Sequence, residues 1–227
     1  MKVIFRSFLN LSAFILVIGF LGLNLAFAAT DYSISGSATF GTTALTNSYG
    51  TAIEFVGSGG TYGYAYPDAS GSYSATGLPN DSYNLELSTP QGGGSSSLVP
   101  YISNLTTTNN PITVDNSNVT QNIALPSANL TVTVLDSSGN PVPSGTNVDA
   151  YSNAGGSVTD QSGTMQFASL TSQQITDNQH TNSSGVAVVP LVPGTGVTYK
   201  VCADLNSVTQ CVDSVAVSGD TSVEIKF

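Results

Sequence analysis

The 227-residue chain has 14 acidic residues against four Lys and Arg, a formal net charge of −10, and only 8% of its residues are charged. Nucleic acid and anionic membrane surfaces therefore lose their main electrostatic attraction, and a phosphorylated substrate would lack its usual cationic clamps. Ser, Thr, Asn and Gly fill the polar positions, helix formers are scarce and apolar segments are short, which predicts an all-β exported protein.

The N-terminus reads "MKVIFRSFLNLSAFILVIGFLGLNLAFAAT", with Lys2 and Arg6 ahead of a long apolar run that ends in Ala26-Phe27-Ala28. Small residues at the positions a signal peptidase reads predict a signal peptide over 1–28. The run from Phe8 to Ala29 would also span a bilayer at ~20 residues, so a retained anchor is the alternative and the one route to a membrane. After cleavage the only cations are Lys200 and Lys226 against 14 acidic residues, a formal charge of −12.

Alternating segments then follow one another: "YSISGSATF" (32–40), "TAIEFVG" (51–57), "TYGYAY" (61–66), "GSYSATGL" (71–78), "SYNLELS" (82–88) and "NVTQNIAL" (118–125). A second series runs "NLTVTVLD" (129–136), "NVDAYS" (147–152), "TMQFASL" (164–170), "GVAVVPLV" (185–192), "TYKVCAD" (198–204) and "QCVDSVAV" (210–217). Turn clusters of Gly, Pro, Asn, Asp and Ser separate them at short spacing, which predicts antiparallel β-sandwich architecture rather than βαβ units. The "QGGGSSS" stretch (91–97) sits between strands of the first series and reads as a loop.

The two series align as an internal repeat. "DASGSYSATGLPNDSYNLEL" (68–87) matches "NSSGVAVVPLVPGTGVTYKV" (182–201), with Gly71 against Gly185, Leu78 against Leu191 and Tyr83 against Tyr199. Upstream, "ISGSATFGTTALTNSYGTAIEF" matches "LTVTVLDSSGNPVPSGTNVDAY". The boundary falls in the short Pro-containing joint "LPSAN", giving sandwich domains over 29–126 and 127–227.

The stretch "PDASGSYSATGLPNDSYNLEL" resembles the carboxypeptidase regulatory-like domain, a prealbumin-like β-sandwich common in secreted bacterial proteins. The "SSGNPVP" turn and "TNSSGVAVVPL" carry the likeness into the second copy. A longer insert there leaves Ig-like or Cna-B-like sandwiches equally open. The intramolecular isopeptide crosslink of Cna-B-like domains is not expected, because "NLTVTVLD" holds no lysine and the first mature copy has none at all.

Cys202 and Cys211 are the only cysteines, and export permits a disulfide between them. Pairing them antiparallel sets Leu205 opposite Val208 across Asn206-Ser207, which suits a type I′ hairpin, and sets Lys200 opposite Asp213. With Tyr199, Val201 and Ala203 facing the core, the pair would lie on the solvent face. Catalytic groups are sparse. The single histidine, His180, sits in "TDNQHTNSSG" and reads as a solvated loop residue, while Glu54, Glu86 and Glu224 alternate with apolar neighbours and should point outward. Asp136, Ser138 and Asn140 alternate as calcium ligands would, but the loop lacks the further carboxylates of an EF-hand and reads as an Asx turn.

Tyr62, Tyr64 and Tyr66 alternate in a chain without tryptophan. Their opposite face is Thr61, Gly63, Ala65 and Pro67, so rings turned inward fill the sandwich more cheaply. The competing reading makes them ligand-binding residues, a flat strip for stacking on sugar rings. Together these features predict a non-catalytic, extracellular or cell-surface interaction module without metal or cofactor. Its partner would be an extracellular protein or polysaccharide, and a carbohydrate-binding accessory module is the alternative.

Overall fold

The computed structural model describes residues 31–89, 99–100, 102–108, 111–153, 155–168 and 173–227. The segment read as a signal peptide and the 91–97 loop lie outside the described residues. Among the described residues ten strands precede the joint: β1 (Tyr32–Phe40), β2 (Thr43–Ala44), β3 (Ala52–Gly57), β4 (Tyr62–Ala65), β5 (Ser72–Leu78), β6 (Asp81–Thr89), β7 (Ile102–Thr106), β8 (Ile112–Val114), β9 (Val119–Thr120) and β10 (Ile123–Leu125). Nine follow it: β11 (Ala128–Leu135), β12 (Asn147–Ser152), β13 (Val158–Thr159), β14 (Gln166–Phe167), β15 (Gln173–His180), β16 (Val186–Leu191), β17 (Thr198–Leu205), β18 (Val208–Ala216) and β19 (Thr221–Lys226). One 3-10 turn, Asn47–Tyr49, is the sole helical element among the described residues.

The repeat seen in sequence is a repeat of connectivity. In the first set β1 lies between β5, antiparallel, and β9 with β10, parallel. In the second, β11 lies between β16, antiparallel, and β19, parallel. The facing sheets also correspond, β4-β3-β6-β7 against β15-β12-β17-β18. The sandwiches are thus antiparallel except where β9 and β10 in the first set, and β19 in the second, return beside the first strand. Alternate residues are buried along β3, β4, β8, β11 and most of β6 and β16, and the inner faces meet in a core that includes Ile34, Phe55, Tyr73, Leu85, Val132, Val148, Val189 and Val201. The rings of Phe55 and Tyr73, from opposite sheets of the first set, stand 6.1 Å apart at 31°.

Two details repeat with the connectivity. The Tyr83 hydroxyl donates to the Pro79 carbonyl at 2.9 Å and the Tyr199 hydroxyl to the Val192 carbonyl at 2.7 Å. In each copy the acceptor follows the aligned leucine, so a fully buried ring closes the turn that leads into its own strand. Gly71 and Gly185 occupy φ of 81° and 71°, and their carbonyls accept from the Ala38 and Val134 amides at 2.8 Å each. A methyl group there would lie 2.6 Å from the Ala38 carbonyl oxygen or 2.7 Å from that of Val134, which is why the turn ends in glycine in both copies.

The insert that distinguishes the second copy forms the β13–β14 hairpin, which joins the two sets. Thr108 donates to Gln166 at 2.9 Å, Ala168 to Thr106 at 2.7 Å and Gln161 to Ala124 at 2.8 Å, all through backbone atoms. Phe167 is buried and bridges Thr107. The connection between the halves is therefore a hydrogen-bonded contact as well as the short joint, and Asp31–Phe227 forms one unit.

The β17–β18 hairpin has the expected register. Cys202 pairs with Cys211 in a disulfide, Leu205 with Val208, and the turn residues Asn206 and Ser207 adopt φ of 51° and 66°, as a type I′ turn requires. A bulge at Asp213-Ser214 still leaves Lys200 3.8 Å from Asp213. The expectation of a solvent-facing pair is corrected at one end. Cys202 is only 6% exposed, because Asp149 of β12 stands opposite it and is itself buried, whereas Cys211 on the edge strand is half-buried. Closing so short a loop limits the chain-entropy contribution of this staple to ~2.7 kcal/mol.

Candidate functional site

The most distinctive surface begins at a tight turn. Ser58-Gly59-Gly60 connects β3 to β4, and the Asp81 carboxylate at the start of β6 holds that turn. It accepts from the Ser58 hydroxyl, from the Gly59 amide at 2.9 Å, from the Thr61 hydroxyl at 3.1 Å and from the Ser82 amide at 2.7 Å. These donors, the Ser58 hydroxyl first, lower the Asp81 pKa to about 2.

From this pinned turn β4 runs back along β3, with Val56 opposite Tyr62, Glu54 opposite Tyr64 and Ile53 opposite Ala65. Gly63, Ala65 and Pro67 are buried, while Tyr62, Tyr64 and Tyr66 are 60%, 55% and 61% exposed. The expectation that the rings pack inward is overturned. The reason lies in β5, whose Leu78 side chain occupies the space beneath the strand: a methyl at Gly63 would lie 2.5 Å from Leu78 Cδ2 and 3.7 Å from the Ala75 Cβ. Small residues face inward because the opposing layer is already full.

The outer face extends across three strands. Tyr64, Glu54 and Glu86 form one cross-strand row, and Tyr62, Val56 and Asn84 form the next. The Tyr64 hydroxyl donates to Glu54 Oε1 at 2.7 Å, and this bond raises the phenol's pKa. Like charges set opposite each other, as Glu54 and Glu86 are, weaken a sheet, so the row is an expensive arrangement to keep on a surface. The three rings and Asn84 on this face are exposed, while Glu54, Val56 and Glu86 are half-buried. A carboxyl acting as general acid is normally held in an apolar pocket, and this surface offers a hydrogen-bonding floor beside three rings instead. The sequence sets Glu54 and Glu86 facing outward but does not place them beside the tyrosines, because the 54–64 pairing depends on a turn that Asp81 pins from another strand.

The other candidates are dispersed. His180 is the last residue of β15, exposed and opposite Asn147. Asp136 accepts from the Ser138 and Asn140 amides at 2.9 and 2.8 Å, an Asx turn in which these backbone bonds lower its pKa. Asp68, Asp160 and Asn182 make the same closure with the residues that follow them. Among the described residues no group of three His, Cys, Asp or Glu is placed to hold a metal ion. A groove beside Pro126, Thr159, Pro193 and Val197 is lined without any ionisable side chain. The structure therefore brings together Tyr62, Tyr64 and Tyr66, and leaves Cys202 and Cys211 as a separate structural pair in the other set.

No protein-family model matches the sequence, and no curated protein matches it. Solved structures give distant likenesses. A candidate adhesin from Bacteroides ovatus ATCC 8483 superposes with a TM-score of 0.41 at 9% identity, covering 88% of this chain and 93% of that one. The shaft pilin of Lactobacillus rhamnosus GG gives 0.33 at 11% identity, with 87% and 98% covered. The Bacillus anthracis TIE protein gives 0.33 at 14%, with 86% of this chain but only 34% of that protein covered. These scores are too low to carry any property of those proteins to this chain.

Proposed function

We propose that this protein is an exported, non-catalytic interaction module of adhesion type, displayed outside the cell, that binds a neutral polysaccharide through the β4–β3–β6 face. The observation that carries this reading is the exposure of Tyr62 and Tyr64 on β4 and of Tyr66 directly after it. Alternating rings present flat apolar surface, and the Glu54 and Glu86 carboxylates and the Asn84 amide beside them supply acceptors and donors for sugar hydroxyls. Residues 29–126 contain no Lys, Arg or His, which disfavours an anionic ligand. We read the two strand sets as tandem prealbumin-like domains over 29–126 and 127–227, and their matched connectivity supports that reading. Among the described residues no helix is long and apolar enough to cross a membrane.

Affinity electrophoresis in gels cast with neutral polysaccharides tests the ligand class. The protein should be retarded by at least one of them, and Tyr64→Ala should weaken retardation about tenfold while the protein stays folded. Equal retardation of the wild type and of a variant with all three tyrosines changed to Ala would remove the strip from the argument. Binding to an extracellular protein but to no polysaccharide would keep the module and discard the sugar.

A further inference from the structure

Among the described residues strand β4 ends its sheet, and only one of its two backbone edges is paired. The Gly57 amide donates to the Thr61 carbonyl at 2.7 Å. Antiparallel pairing alternates, so the pairs bonded to β3 are Phe55 with Gly63 and Ile53 with Ala65. The amides and carbonyls of Tyr62 and Tyr64 therefore point away from β3, along the open edge, and Tyr66, the next residue after the strand, falls in the same phase of the alternation. Natural edges are blunted by charge, proline or bulges. Here β18 carries Asp213 and a bulge, β16 carries Pro190, and β19 carries Glu224 and Lys226. From Gly59 to Tyr66 the β4 edge has none of these devices, although the chain around it is strongly acidic.

We propose that the β4 edge pairs with β4 of a second copy of this chain, antiparallel and centred on Tyr64. This goes beyond the ligand reading, since it uses the backbone edge rather than the ring face. A two-fold axis at Tyr64 places Tyr64 opposite its own copy and Tyr62 opposite Tyr66 of that copy. All three tyrosines then fall at hydrogen-bonded positions, and each gains an aromatic cross-strand neighbour on the outer face. Gly63 falls opposite Ala65 on the inner face, so no bulk obstructs the approach. One short strand from each copy is a contact well below the ~1,200 Å² of a stable interface, so the pair is weak and concentration-dependent. Added salt strengthens it by screening repulsion between two chains of like charge.

Amide hydrogen exchange by NMR on the exported protein, at low and high concentration, tests the pairing. The amides of Tyr62, Tyr64 and Tyr66 should exchange freely when dilute and gain protection together when concentrated, while Gly63 and Ala65 stay protected throughout. In sedimentation, Tyr64→Ala should weaken association a few-fold. Tyr64→Pro removes the outward amide without touching the β3 ladder and should weaken it at least tenfold more. Retained Gly63 and Ala65 protection checks that each variant is folded. Association unchanged by Tyr64→Pro, concentration-independent exchange at all three tyrosines, or protection that appears only on adding polysaccharide or peptide would each overturn the proposal. Loss of polysaccharide binding in Tyr64→Ala with dimerisation kept, or the reverse, separates this proposal from the ligand reading.

Discussion

Replacing Gly63 by alanine puts the inward side of β4 under direct test. In an unobstructed strand the change would be favourable, because glycine costs roughly 0.5–1 kcal/mol relative to alanine through lost backbone entropy. Here the new methyl would lie 2.5 Å from Leu78 Cδ2, and Leu78 is buried to 1% exposure beneath the strand. Overpacking of this kind costs ~1–3 kcal/mol and outweighs the entropic gain, so Gly63→Ala should lower the urea midpoint. Tyr64→Ala, on the exposed side, should cost only about 0.5 kcal/mol, as surface substitutions do. A double-mutant cycle sharpens the test. Leu78→Ala alone should cost ~2–5 kcal/mol, but combined with Gly63→Ala the clash disappears and the two changes should be less than additive. A neutral Gly63→Ala beside a strongly destabilising Tyr64→Ala would show the strand facing the other way and refute the reasoning.

Two further outcomes follow from the hydrogen bonds. Tyr83→Phe and Tyr199→Phe each leave a turn carbonyl without its hydroxyl donor and should each cost about 1 kcal/mol by chemical unfolding, with near-additive effects because the sites lie in different strand sets. Asp81, held at about 2 when folded against an ordinary value near 4 when unfolded, contributes stability that is fully present above about pH 4 and is lost as the pH falls toward 2. Acid unfolding followed in Asp81→Asn should therefore show a shallower loss across that window than the wild type, and identical slopes would exclude Asp81 as a contributor.

Much of the succession of strands was legible because period-2 patterning and turn residues are local, and each copy repeats the same local signals, but β7, β8, β15 and β19 lie in none of the alternating segments read from the sequence. The hairpin at Asn206-Ser207 was legible to the residue, since two cysteines, a turn pair and an ion pair fix one register. The tyrosine strip was not. Alternation in "TYGYAYP" states that Tyr62, Tyr64 and Tyr66 share a face but not which face, and the choice depends on Leu78 and Ala75, which arrive from another sheet. The joint between the halves was also hidden, because the insert that makes it has weak patterning and its Phe167, besides pairing with Val158, bridges Thr107 across the boundary. The same distance in sequence concealed the burial of Cys202, whose cover, Asp149, lies 53 residues earlier in the chain.

The turn at 58–60 is what makes the strip dependable. A one-residue slip of β4 against β3 would exchange its two faces, driving tyrosine rings onto Leu78 and leaving Gly63 and Ala65 in water. Patterning alone resists such a slip weakly here, because glycine and alanine gain little from burial. Asp81 adds the missing constraint: its carboxylate binds Ser58, Gly59 and Thr61 together, so a shifted strand would have to give up three hydrogen bonds at once. Glu54 adds another by holding the Tyr64 hydroxyl from the neighbouring strand. The acidic residues of this region thus fix which way the rings face, and the same register directs the backbone groups of those tyrosines to the open edge. Ring face and strand edge are consequences of a single phase set at the turn, which is why a change that shifts it should disturb both while a change to one ring should disturb mainly the face.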